Sequence, residues 1–190
     1  MPLTEEHRKI LKLVAHQAIA YGLEHNGTTG HMAEMPINTV DYADTLQAIR
    51  ATFVTLNLHQ NLRGCIGTLE ARLPLVADVA HNAHAAAFFD PRFPPVTLPE
   101  LGDLNIHISI LSPAEAIQFD SEADLIRQIR PDIDGLILED GYQRGTFLPS
   151  VWESLKSPEE FLRHLKNKAG LPSDYWSDNL KVSRYTTESF

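Results

Sequence analysis

One cysteine, Cys65, stands in the stretch NLRGCIGTLE, with Arg63 two residues before it and Gly64 and Gly67 on either side. A thiol acts as nucleophile or covalent carrier in its thiolate form, and a guanidinium nearby favours that form over the neutral one. Alternate side chains of a strand share a face, so this spacing puts Arg63 and Cys65 together, with Cα atoms roughly 7 Å apart. At that range, and at an effective dielectric near 20, one charge contributes about 2 kcal/mol. Burial in apolar surroundings acts the other way. Gly64 and Gly67 leave room for a ligand or another backbone, or mark a bulge that re-aims the cysteine. A cysteine nucleophile also needs a base, and His84 and His107 are the candidates. The competing reading makes Cys65 a small buried hydrophobe and pairs Arg63 with an acidic neighbour such as Glu70.

A second candidate stretch is DPRFPP, where Asp90 and Arg92 either line a binding site or hold a tight turn with their own side chains. Asp78, His81 and His84 lie three residues apart and would form a ridge on one helix. With Cys65 they offer at most a possible pair of metal ligands, short of the three or four a zinc site needs, so no metal is expected. No phosphate-cradling glycine loop, GxSxG elbow, CxxC or HExxH occurs. No cofactor is expected either. Trp152 and Trp176 read as packing anchors.

The elements around these residues can be read from pattern. Thr4 caps a helix with Glu5 and Glu6 in its first turn and an apolar face running to about Leu23. A polar, glycine-containing loop is expected over Glu24–Thr39, and a short helix over Asp41–Ile49. Ala51–Leu58 and Leu62–Ile66 form a hairpin about the break His59-Gln60-Asn61. Leu73–Phe89 is an alanine-rich helix with Pro74 in its first turn, closed by the DPRFPP loop. In LNIHISIL, Ile106, Ile108 and Ile110 alternate with Asn105, His107 and Ser109, as in a strand with one buried face. A helix over Ser121–Ile129 follows, then a strand Gly135–Glu139, a turn at Asp140-Gly141, and a partner strand Gln143–Leu148. Helices start at Pro149 and at Ser157-Pro158, the latter capped by Gly170. Leu180–Thr186 is a closing strand. Interspersed helices and hairpins predict an α+β fold with a mainly antiparallel sheet flanked by helices.

At 190 residues, 43% of them hydrophobic, the chain fits one domain, with room for a small subdomain. A formal charge of −9 argues against a general nucleic-acid or anionic-membrane surface. The single cysteine excludes an internal disulfide framework and suits a reducing compartment. The N-terminus has no uninterrupted apolar core of a secretory signal, and no run approaches a membrane span. A cytoplasmic protein is the expectation.

LRGCIGTLE, DPRFPP, LNIHISILSP, GTFLPSVWE and FLRHLKNKAGLPSDYW follow one another in an order that resembles the AMMECR (AMME-syndrome candidate-region) family, called AmmeMemoRadiSam system protein A in microbes. The resemblance covers roughly residues 5–186. It implies one mixed α/β domain with an antiparallel sheet and a smaller subdomain packed on a larger one. Its site positions would be Arg63, Gly64, Cys65, Gly67, Asp90 and Arg92. It implies association with a Memo-like protein and a radical SAM protein in a shared modification pathway. His107 stands where relatives often carry an acidic residue, and Ser150 and Trp152 replace a Gln and a small residue after the LP pair. Two functions are therefore carried forward. One is a small enzyme or enzyme subunit using Cys65, with Arg63 stabilising the thiolate or an anionic substrate and His84 or His107 as base. The other is a non-catalytic adaptor whose RGCIG and DPRFPP segments, with Gly64, Gly67, Asp90 and Arg92, form a recognition cleft for a protein or small acidic ligand.

Overall fold

The computed structural model describes residues 3–25 and 34–190, so half of the loop expected over Glu24–Thr39, residues 26–33, lies outside the described residues. The chain divides into two compact units, Met1–Leu111 with Glu188–Phe190, and Ser112–Thr187. Each is built on its own four-stranded sheet. Every strand pairing in the two sheets with a described register is antiparallel, and the α+β expectation holds.

The first unit contains α1 (Glu5–Glu24), α2 (Asp44–Gln47), β1 (Thr52–Leu58), β2 (Asn61–Gly67), α3 (Leu75–Phe88) and β3 (Leu104–Leu111). The last strand of the chain, β8 (Thr187–Ser189), closes its sheet in the order β2-β1-β3-β8. Thr4 caps α1 as its residue type demands, and His7 returns the bond to the Thr4 backbone. Leu11 and Ala18 of α1, Val79 and Ala83 of α3, and Val54, Leu56 and Ile108 of the sheet make one buried core. The strand alternation is as read: Ile106, Ile108 and Ile110 are buried, while Asn105 and His107 are exposed. The small side chains of α3 permit close approach to β1 and β2, and Ala86 and Ala87 are buried there.

The hairpin turn is shorter than expected. Leu58 pairs with Asn61, leaving His59 and Gln60 as a two-residue turn with φ of 48° and 69°. Both residues sit in the left-handed region that suits the twist of a tight hairpin, though neither is the Asn or Gly usually found there.

The second unit contains β4 (Glu115–Ala116), α4 (Glu122–Gln128), β5 (Gly135–Asp140), β6 (Gln143–Phe147), α5 (Pro158–Lys168) and β7 (Lys181–Tyr185), with the sheet order β4-β7-β5-β6. Ser121 and Ser157 cap α4 and α5. Trp152 is its packing anchor: the indole stacks on Phe161 with centroids 3.9 Å apart and donates to the Asp134 carbonyl at 2.7 Å. The expected helix at Pro149 is a single 3-10 turn, Pro149–Glu153. The two shortest strands, β4 and β8, have no counterpart in the sequence reading, since two or three residues carry no alternation to detect.

Between α3 and β3 the chain runs through residues 89–103, and one ion pair fastens it to β2. Arg63 donates through Nε to Glu100 Oε1 at 2.7 Å and through Nη2 to Oε2 at 3.2 Å. The same guanidinium donates to the carbonyls of Pro94 and Pro95 at 2.8 and 3.1 Å. Glu100 also closes a capping box, accepting from the Thr97 backbone N–H and hydroxyl. The Arg63 bonds, opposed by partial burial and aided by Thr97, hold the Glu100 carboxyl down at about 2, from an ordinary 4.5. A depressed folded-state value means stability present above pH 4.5 and lost as pH falls toward 2. In urea unfolding, Glu100→Gln is expected to remove about 2–3 kcal/mol of the acid-dependent loss between pH 5 and pH 2. An unchanged pH slope would show that the pair does not fasten the loop.

Candidate functional site

Cys65 lies on β2, an edge strand of the first sheet, opposite Thr55 of β1. Its backbone groups do not go to a further strand. The Cys65 N–H donates to Asp90 Oδ2 at 2.8 Å, and its carbonyl accepts from Arg92 Nη2 at 3.2 Å. Asp90 in turn receives Arg92 through its N–H at 3.1 Å, Nε at 2.9 Å and Nη2 at 2.7 Å. One Asp-Arg pair therefore satisfies a strand position that would otherwise template an added strand. The two alternatives for DPRFPP merge: Asp90 and Arg92 hold their own turn and also clamp the cysteine. Asp90 is 4% exposed, and the Arg92 hydrogen bond, opposed by burial and aided by the Cys65 N–H, holds its carboxyl well below the usual range.

Arg63 is not where the sequence reading put it. Leu56 pairs with Gly64 and Asn57 with Leu62, so Arg63 is the extra residue of a β-bulge. Strict alternation fails at that point, and the expected Arg63–Cys65 pair on one face gives way to the Glu100 clamp. Glu70, the sequence-proposed partner, instead accepts from Arg72. The cation whose charged state is coupled to Cys65 is Arg92, raised above its ordinary value chiefly by the Asp90 bond, with a smaller contribution from the cysteine charge.

Gly64 decides which face Cys65 takes. A Cβ on Gly64 would lie 2.1 Å from the Ala86 carbonyl oxygen, so Gly64 faces α3 and its neighbour Cys65 faces away. The thiol is half-buried, and Sγ lies 3.2 Å from Thr55 Oγ1. Thr55 pairs on its other side with His107 of β3, so Cys65, Thr55 and His107 form one row across three strands on the face away from the helices. Gly67 serves the same face: a Cβ there would meet the Phe53 ring at 2.3 Å and the Thr52 carbonyl at 2.4 Å. His84 is placed on the other side. It is buried on α3, 5.0 Å from the Phe88 ring and 5.5 Å from Phe89, in the helix layer that packs behind Gly64. The sheet separates it from the thiol.

Asp78 and His81 also part company. Asp78 is buried and accepts from Thr52 Oγ1 at 2.6 Å and Asn82 Nδ2 at 2.9 Å, while exposed His81 faces Glu34 at 3.2 Å. The expected ridge is thus split between core and surface, and no group of three metal-ligating residues occurs among the described residues. A concavity of about 450 Å³ lies within the second unit and is lined by Phe119, Asp120, Glu139, Trp176, Asp178 and Lys181. Trp176 is half-buried and tilts against Phe119 at 5.6 Å, a different situation from the enclosed Trp152. Sequence reasoning missed Thr55 and Glu100. Glu100 was signalled by the Thr97-x-x-Glu100 capping pattern, and Thr55 by the three-residue break, which sets Leu58 against Leu62 and so Thr55 against Cys65.

A paired control tests the close approach of α3 to Gly64. Gly64→Ala must displace the α3 backbone and is expected to cost about 2 kcal/mol or more of unfolding free energy. Gly102, with nothing within 4 Å of its added Cβ, is expected to change by less than about 0.5 kcal/mol as Ala. Equal effects in the two variants would remove the close approach of α3 from the account.

The family model AMMECR1 matches residues 13–190. A protein of Methanothermobacter thermautotrophicus is 36% identical over 195 residues, covering 100% of this chain and 96% of that protein. One from Methanocaldococcus jannaschii is 38% identical over 168 residues, covering 84% of this chain and 82% of its own. The crystal structure of an uncharacterised Pyrococcus horikoshii protein superposes with a TM-score of 0.84 at 36% identity, over 98% of this chain and 92% of that one. With a family match over residues 13–190, relatives 36% and 38% identical along most of the chain and a shared fold, the chain belongs to the AMMECR1 family.

Proposed function

We propose that the first unit carries a thiol site in which Cys65 acts as a nucleophile or covalent carrier. The carrying observation is the division of labour at Cys65: Asp90 and Arg92 fix its backbone, while its half-buried sulfur meets, among the described residues, only a small hydroxyl, that of Thr55, in hydrogen bonding. A rigid backbone beneath a partly accessible thiol suits attack at a defined position. The sulfur lone pair would form a bond to an electrophilic carbon. The thiol proton passes to a base, and the leaving group departs with its bonding electrons. Arg92, whose side chain is 55% exposed, supplies the positive charge at the strand edge. This replaces the electrostatic role first expected of Arg63. The protein would act in the cytoplasm, in one modification pathway with a Memo-like protein and a radical SAM protein. No helix of the described residues is long and apolar enough to cross a membrane.

A second reading has its own support. Arg63, Gly64, Gly67 and Asp90 all have internal structural work, as clamp, close approach or bulge, which an adaptor would need equally. Its surface would be the Cys65 edge and the 90–95 loop, recognising a protein or small acidic ligand through Arg92.

Intact mass of the protein taken from its own cells, together with both partners, distinguishes them. The enzyme reading expects a covalent adduct on Cys65, absent from Cys65→Ser, and loss of pathway turnover in that variant. Full turnover in Cys65→Ser with a native fold would leave the adaptor. In the purified protein, native Cys65 is expected to alkylate with iodoacetamide, several-fold more slowly in Arg92→Gln. A thiol that reacts only after unfolding would overturn the nucleophile.

A further inference from the structure

Register places three chemistry-bearing side chains in one line. Cys65, Thr55 and His107 occupy directly opposed positions on β2, β1 and β3, on the sheet face away from α3. Adjacent strands lie about 4.8 Å apart, so the thiol and the imidazole belong to strands roughly 10 Å apart, too far for a direct Cys–His pair. The side chain between them is a hydroxyl already 3.2 Å from the sulfur, with either atom able to donate. A hydroxyl can accept one hydrogen bond and donate another, whereas a valine of the same shape can do neither.

We propose that Thr55 is a positioning residue that couples the Cys65 thiol to His107, which takes up the thiol proton. This rests on the thiol-site reading and decides between the two histidines that reading offered as base. The proton count closes: S–H gives its proton to Thr55 Oγ1 as the Thr55 hydroxyl proton passes to the imidazole nitrogen. The products are a thiolate, an intact hydroxyl and an imidazolium. His107 is exposed as a residue, yet partial burial of its ring, with Lys12 a lesser cause, lowers its pKa from the ordinary 6.5. It is therefore the neutral, proton-accepting form near pH 7. The charged groups bearing on the row are Arg92 and Asp90 at the β2 edge and Lys12 from α1. Arg63 is paired with Glu100, as Arg92 is with Asp90. The Asp90–Arg92 pair holds the backbone under the thiolate, while the imidazolium lies two strands away on the same face.

The test is the pH profile of iodoacetamide alkylation for the native full chain, Thr55→Val, Thr55→Ser, His107→Gln and the Val/Gln double variant. Thr55→Val and His107→Gln are each expected to slow alkylation at pH 7 about tenfold, a modest share of general-base effects. Both should also lose the inflection due to the imidazole. Thr55→Ser should restore rate and profile to within about twofold, and the double variant should be no slower than either single one. A merely structural Thr55 would not give the serine rescue or the altered profile. Native alkylation that is unchanged in Thr55→Val or His107→Gln, or additive in the double variant, overturns the coupling while leaving the thiol site intact. A native thiol inert at every pH overturns both.

Discussion

The interaction on which the candidate site depends is the hydrogen bond from the Cys65 N–H to a buried carboxylate. An edge strand leaves alternate backbone groups unpaired, and a buried N–H without an acceptor costs on the order of 1–3 kcal/mol. Asp90 supplies the acceptor from a loop, at 2.8 Å, and Arg92 both neutralises that carboxylate and bonds the Cys65 carbonyl. The three groups fix one another. The carboxylate stays charged because the guanidinium is there, and the guanidinium stays put because Asp90 grips it through Nε and Nη2. The backbone at that position has both its outward groups bonded, as in a central strand, yet it remains at the sheet's edge.

The second constraint is the sheet as a partition. Gly64 and Gly67 lie on opposite faces of β2 and each admits a close neighbour, the α3 backbone behind and the Phe53 ring in front. With α3 against Gly64, every polar residue of that helix is on the far side from the thiol. His84 therefore belongs to the aromatic packing of the helix layer, and Asp78 and Asn82 belong to a buried polar knot around Thr52. Among the described residues of the first unit, the thiol's row is completed by β1 and β3. The side chains beside Cys65 are thus decided by strand register, and Thr55 and His107 follow from it.

The order and type of the main elements were legible because each carries its own signal: the Thr4 cap, the isoleucine alternation of β3, the alanines of α3, the prolines that open α5 and close α3. The Asp90 and Arg92 pairing was legible too, in a motif only three residues long. The Arg63 placement was not. A bulge adds one residue to a strand without changing its composition, and everything beyond it shifts by one position relative to the partner. Beyond the bulge the register is the one a three-residue break would give, because the shorter turn at His59–Gln60 and the extra residue cancel, so Thr55 was already opposite Cys65 in the expected hairpin. His84 and His107 had equal standing as bases because sequence spacing on a helix and alternation on a strand do not say which face of a common sheet each will share.

The clamp is read most directly at the Cys65 amide. Residue-resolved native-state hydrogen exchange measures whether that N–H is bonded, independently of any reaction of the thiol. With Asp90 as acceptor, the Cys65 amide should be protected as strongly as those of Gly64 and Ile66, which face β1, and the protection should fall selectively in Asp90→Ala. A Cys65 amide that exchanges like an unpaired edge-strand group in the native protein would contradict the clamp and the site built upon it.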